Sequence, residues 1–107
     1  LDLTQYIAGF FDGEGCISMY KNRVQVSIAQ VVRTPLDLIQ ELYGGNIYLE
    51  ERRSPNHNDT HRYVLSKKHL VLRFLKDVYP YLMVKDIKCE EAINFLEGKS
   101  PSSPIAT

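Results

Sequence analysis

The stretch Tyr6-Ile7-Ala8-Gly9-Phe10-Phe11-Asp12-Gly13-Glu14-Gly15 holds three of the chain's six glycines within seven residues. Apolar spacing predicts a helix over 3–12, with Thr4 or Asp2 as N-cap and Gly13 and Gly15 ending it. Two stripes run along this helix. Leu3, Ile7 and Phe11 recur at four-residue spacing and suit a core, while Tyr6, Gly9, Phe10 and Gly13 follow i, i+3, i+4, i+7 on another face. A short helix with two such faces has two packing partners. Glycine inside a helix costs about 1 kcal/mol relative to alanine, so Gly9 needs a reason; with Gly13 one turn on and Ala8 beside it, it lets another backbone come close. Asp12 and Glu14 are a second anomaly. The unpaired carbonyls of a helix C-terminus already form a negative end, so acids there call for something positive. A hard cation such as Mg²⁺, held by a carboxylate and a backbone carbonyl, satisfies the arrangement. If a symmetric partner packs its own Gly9–Gly13 face here, two Glu14 side chains meet at the axis and either recruit metal or stay partly protonated.

Outward from this helix, residues 17–30 alternate as a β-hairpin. Val24, Val26 and Ile28 share one face and Arg23, Gln25, Ser27 and Ala29 the other, with 20–23 as the turn and Asn22 the residue suited to positive φ. Thr34 is the expected N-cap of a second helix with Pro35 at its first position and Asp37 in its first turn. Leu38, Ile39, Leu42 and Tyr43 form its apolar stripe and Gly44-Gly45 end it. In a second hairpin Ile47 and Leu49 point one way and Tyr48, Glu50 and Arg52 the other; 54–60 (SPNHNDT) is turn sequence and 62–66 returns as a strand, with Tyr63 and Leu65 favoured inward. A third helix over 67–79 carries Leu70, Val71, Phe74, Leu75 and Val78 and stops at Pro80. A last helix over 86–97 carries Cys89, Ala92, Ile93 and Leu96, closed by Gly98. The order α-ββ-α-ββ-α-α implies an α+β domain over 1–98: one four-stranded antiparallel sheet with helices on a single face, followed by a flexible Pro/Ser-rich tail over 99–107.

The chain has 107 residues, 44% apolar and 24% charged, which is one ordinary globular domain. Its longest apolar runs fall far short of the roughly 20 residues of a membrane span, and nothing at its start resembles a signal peptide. Cys16 and Cys89 form neither a C-x-x-C pair nor a zinc-spaced set, so both are read as reduced packing residues in an intracellular compartment. His57 and His61 flank a short polar run that superficially looks like a metal pair; lacking a second half, they are read as hairpin-tip residues. Net charge is zero, yet residues 16–34 and 46–68 hold eight Lys/Arg (Lys21, Arg23, Arg33, Arg52, Arg53, Arg62, Lys67, Lys68) against three acids, giving +5 there and −5 elsewhere. The sheet is the basic side.

The run Ile7-Ala8-Gly9-Phe10-Phe11-Asp12-Gly13-Glu14-Gly15 resembles the signature of the LAGLIDADG homing endonucleases, and the order of elements is similar to that family's domain over nearly the whole chain. The resemblance implies a metal ligand at Glu14, where many relatives have Asp, with the Gly13 carbonyl beside it. It also implies a water-positioning role for Gln30 and an active-site role for Lys85, with a looser match at Arg33; a strand-end cap for Gln30 and a solvated loop charge for Lys85 stay open as plainer readings. It implies Mg²⁺, with Mn²⁺ as a substitute, and metal-assisted hydrolysis of one phosphodiester on each DNA strand. The outward sheet face would then enter the major groove of double-stranded DNA, with no small-molecule substrate and no membrane. Arg23, Gln25, Ser27 and Ala29, with Tyr48, Glu50, Arg52, Arg62 and Val64, are the candidate base readers. Lys21, Arg53, Lys67 and Lys68 are candidate phosphate contacts. One signature makes half of a paired active site, so the face of Tyr6, Gly9, Phe10 and Gly13 is expected to form a C₂ homodimer on a near-palindromic target. The same scaffold also fits a non-cleaving DNA-binding regulator, an intron RNA maturase, or half of a two-motif monomer.

Overall fold

The computed structural model describes residues 2–50 and 59–98. Helix α1 (Leu3–Glu14) leads into a hairpin of β1 (Gly15–Tyr20) and β2 (Arg23–Gln30). Helix α2 (Thr34–Tyr43) then precedes β3 (Asn46–Glu50) and β4 (Thr60–Leu65). Helix α3 (Lys68–Val78), a 3-10 turn at Tyr79–Tyr81 and helix α4 (Asp86–Leu96) complete the domain. The strands form one antiparallel sheet in the order β1-β2-β4-β3.

Register fixes what each face carries. Ile17 lies opposite Val26, and Met19 opposite Val24; Val26 lies opposite Leu65, and Ile28 opposite Tyr63. These side chains face the helices, and Ile17, Val24, Val26, Ile28, Tyr63 and Leu65 are all buried. Alternation sends Ser18, Arg23, Gln25, Tyr48 and Arg62 to the other face. The helical side of the core is Ile7, Ala8 and Phe11 of α1, Leu36, Ile39 and Tyr43 of α2, Val71, Phe74, Leu75 and Val78 of α3, and Cys89, Ala92 and Leu96 of α4. Phe74 is its hinge, meeting the rings of Phe11 and Tyr43 edge-on at 5.1 Å each. Tyr43 donates to Asp77 at 2.8 Å and Tyr63 to the Gly44 carbonyl at 2.7 Å, which satisfies the polar ends of these core aromatics. Burial and the Asp77 carboxylate push the Tyr43 hydroxyl up to about 12.

Several local expectations shift. The cap of α1 is Asp2, whose carboxylate accepts the Thr4 N–H at 2.8 Å, and the helix runs through Gly13 to end at Gly15. Gly15 is demanded by crowding, since a Cβ there would run into the Phe11 ring. Leu3 is exposed, and Ala8 takes its place in the core. In the first hairpin Lys21, at φ 55, adopts the left-handed conformation expected of Asn22. Arg33 occupies the N-cap of α2, so Thr34 is already helical, and Leu36 packs inward where Leu38 and Leu42 had been expected to lead. Strand β4 begins at Thr60, which draws Thr60 and His61 out of the expected turn. Both cysteines are free; Cys89 is buried, but Cys16 is exposed on the sheet, so the packing role holds for Cys89 alone. The tail over 99–107 lies outside the described residues, as do Arg52, Arg53 and His57. Among the described residues no helix is long and apolar enough to cross a membrane.

Truncating the shared aromatic hinge should be costly. Phe74→Ala is expected to lower stability by about 3–5 kcal/mol, read as the free energy of unfolding in urea.

Candidate active site and nucleic-acid interface

The C-terminal turn of α1 is where the chain concentrates its polar interactions. Asp12 is almost fully buried, and its carboxylate accepts three consecutive backbone N–H groups: Met83 at 2.9 Å, Val84 at 3.0 Å and Lys85 at 2.9 Å. Successive amides converging on one anion form a nest, and this one is the turn that leads into α4. The Lys85 ammonium then reaches back to donate to the Asp12 carbonyl at 2.6 Å. Burial alone would raise the Asp12 pKa, but the hydrogen bonds from Met83, Lys85 and Val84 and the charge of Lys85 together hold it below its ordinary value of 3.8. The positive partner that an acid at a helix C-terminus requires is therefore, for Asp12, in the chain itself. This corrects the expectation that both acids await a cation.

Glu14 differs. It is the last residue of α1, exposed, with no hydrogen bond or ion pair among the described residues. It sits two residues from the carbonyl that holds Lys85, so the structure gathers Glu14, Gly13 and Lys85 at one helix end. Antiparallel pairing of Gly15 with Ile28 brings the end of β2 to the same edge, and Gln30 closes that strand. Its Oε1 accepts the Val31 N–H at 2.9 Å, which fixes the amide orientation and leaves Nε2 as its donor. Opposite Gln30 lies His61, whose Nδ1 is 3.1 Å from the Val31 carbonyl. His61 thus belongs to this edge and not to the hairpin tip where its polar neighbours seemed to put it. The strand boundary reveals this, and alternation from Tyr63 and Leu65 carried two residues back points the same way. Arg33 is committed elsewhere: its Nε donates to Asp37 at 2.9 Å, one turn along α2.

Along α1 the outer face is open. Tyr6 and Phe10 stack at 6.4 Å, and neither Gly9 nor Gly13 has anything within 4 Å of where a Cβ would stand. Nothing in this chain's described residues uses the two glycines. The outward sheet face shows Arg23, Gln25 and Tyr48 exposed and Val64 half-buried, with Ser27 and Ala29 recessed between strands. Lys21 lies over the Tyr20 ring at the hairpin tip, 5.4 Å from its centroid. Lys67 and Lys68 are exposed at the start of α3. Arg62 is paired with Glu50 across β3 and β4.

A family model described as a LAGLIDADG-like domain matches residues 2–79. The chain belongs to this family. Similar solved folds include the homing endonuclease I-CvuI in complex with its target in the presence of Ca, at TM-score 0.68 and 21% identity over 89% of this chain and 66% of that one. The archaeal intron-encoded homing endonuclease I-Vdi141I, complexed with DNA, matches at TM-score 0.69 and 25% identity over 90% of this chain and 67% of that one. The meganuclease I-AabMI, bound to uncleaved DNA, matches at TM-score 0.64 and 23% identity over 88% of this chain but 36% of its own. The LAGLIDADG-like chain thus spans 66% of the length of I-CvuI. A search of curated proteins gave no match.

The Asp12 nest sets an acid sensitivity with a definite sign. Unfolded, this carboxyl titrates near 3.8; folded it titrates lower, so its stabilisation is full above the unfolded value and is lost as pH falls through the folded one. Asp12→Asn should cost about 1–3 kcal/mol near neutrality and should flatten the loss of stability on acidification, measured by thermal unfolding between neutral pH and pH 2.

Proposed function

We propose that this chain is one protomer of a site-specific, metal-dependent homing endonuclease that cuts both strands of a long, near-palindromic duplex as a homodimer. The observation that carries the reading is the exposed Glu14 carboxylate at the end of a helix face whose glycines meet nothing among the described residues of their own chain. A second copy laid on the Tyr6, Gly9, Phe10 and Gly13 face brings two Glu14 side chains together. That I-CvuI and I-Vdi141I, which share the fold, are complexed with DNA supports a duplex as substrate.

The residues present fit a magnesium ion only in such a pair. Among the described residues no three His, Cys, Asp or Glu side chains group around one point, so a single chain offers the Glu14 carboxylate with the Gly13 carbonyl. Magnesium is commonly held by one or two carboxylates, waters and the substrate's own phosphates, and two protomers on DNA supply that set. When bound, the ion polarises the phosphodiester and lowers the pKa of the attacking water. The chain's own contribution is positional. Lys85, tethered through its ammonium to the Asp12 carbonyl, offers charge to the phosphate as negative charge builds up on it. Gln30, with its oxygen turned onto Val31, offers an amide donor to water or phosphate. Exposed Arg23, Gln25 and Tyr48 meet base edges, while Lys21, Lys67 and Lys68 meet the backbone.

A half of a two-motif chain is the competing reading, and the 36% share of I-AabMI that this domain matches favours weighing it. Light scattering separates the two. A solution mass near twice 12.3 kDa, reduced to one chain by Gly9→Leu, is the expected result; a monomer at high concentration would overturn the homodimer. In cleavage assays on selected near-palindromic duplexes, Glu14→Gln should lose about 10²-fold or more in rate while retaining duplex binding. Cutting that survives this substitution would remove Glu14 from the metal site.

A further inference from the structure

The outward face of the sheet carries a diagonal ion pair. Arg62 of β4 donates from Nε to Oε2 of Glu50 on β3 at 2.9 Å, with the two side chains 40% and 44% exposed. Arg62 lies opposite Tyr48, and Glu50 opposite Thr60, so Glu50 reaches one step along the same face. On the β2 side Arg62 lies opposite Ala29, a small side chain. Exposed pairs of this kind contribute at most about 1 kcal/mol to folding, and an acid on this surface weakens its attraction for phosphate. Stability and general affinity therefore give a poor account of this pair.

Guanidinium geometry gives a better one. Its five N–H donors form a planar fork. With Nε engaged by Glu50, the edge made by the two Nη groups is left for a ligand, and that edge matches the O6 and N7 acceptors of guanine in the major groove. We propose that Arg62 and Glu50 form a single guanine-reading unit, in which Arg62 contacts the base and Glu50 is a positioning residue that fixes the plane of the guanidinium. The assignment rests on the DNA reading above and narrows it. Glu50, a candidate reader of cytosine by its chemistry alone, is instead engaged with Arg62. Holding the arginine in place beforehand also reduces the side-chain entropy lost on binding. In a symmetric dimer the unit appears twice, so guanine is required at two symmetry-related positions of the target.

The test is binding selection of the full chain from a randomised duplex pool without divalent metal, followed by sequencing. The wild type should enrich guanine at one position per half-site with roughly ten- to hundredfold preference over the other bases. Arg62→Ala should level the four bases at that position and spare preferences elsewhere. Glu50→Ala should weaken the guanine preference several-fold while affinity for unrelated duplex holds or rises, because a negative charge is lost; Glu50→Gln, which keeps an oxygen for Nε, should recover most of the preference. A purely structural pair would lower melting temperature and affinity at every position together. Retention of every guanine preference in Arg62→Ala, or a full-strength preference in Glu50→Ala, overturns the unit. A wild type that enriches no sequence overturns the DNA reading itself, and this inference with it.

Discussion

One buried carboxylate joins the two ends of this fold. Asp12 lies in the last turn of α1, yet its hydrogen-bond partners are seventy-odd residues away in sequence, in the turn before α4. A charge at that depth is tolerable only when it is fully paired, so the turn of Met83, Val84 and Lys85 must close on it. Closing the turn sets where α4 begins, which places Cys89 and Ala92 against the core. It also returns Lys85 to the end of α1. A single electrostatic requirement thus fixes a packing relationship and brings a cation to the end of the helix that Glu14 closes.

The same helix divides its labour by face. Ile7, Ala8 and Phe11 are buried against the sheet and α3, whereas Tyr6, Gly9 and Gly13 are open. In an isolated helix the two glycines would be a net cost of about 1 kcal/mol each, recovered only if something packs where the side chains are missing. The acids divide in the same manner: Asp12 on the inner side satisfies the fold, and Glu14, two residues on, stays exposed with no partner among the described residues.

Much of this was legible because period and punctuation agreed. The 2-residue alternation of Val24, Val26 and Ile28, the stripe from Leu70 to Val78, Gly44-Gly45 and Pro80 each gave an element and its end. What escaped was governed by contacts distant in sequence. Nothing in the local spacing around Asp12 says that it will be claimed by amides of residues 83–85, so both motif acids read alike. His61 read as loop because His57, Asn58 and Asp59 before it are turn formers, while pairing with Gln30 makes it strand. Leu36 was hidden behind Pro35, where capping signals outweigh burial. The tight turn at Lys21 went against propensity, since asparagine next door bears positive φ more readily; pairing of Tyr20 with Arg23 leaves just these two residues to turn the chain.

Charge pairing also bears on how a chain of zero net charge would engage the duplex proposed for it. Of the described arginines in the basic segments, Arg33 is neutralised by Asp37 and Arg62 by Glu50, and Arg23 alone is without an ion pair. An exposed cation outside such a pair, as Lys21, Lys67 and Lys68 are, attracts phosphate in bulk, gaining through counterion release. Pairing forgoes part of that gain and holds guanidinium planes in defined orientations. On the DNA reading, such a face trades affinity for any duplex against discrimination among duplexes. In the homodimer proposed above, two such faces would double the contacts on a symmetric target without adding the unpaired charge that would hold the protein on the wrong one.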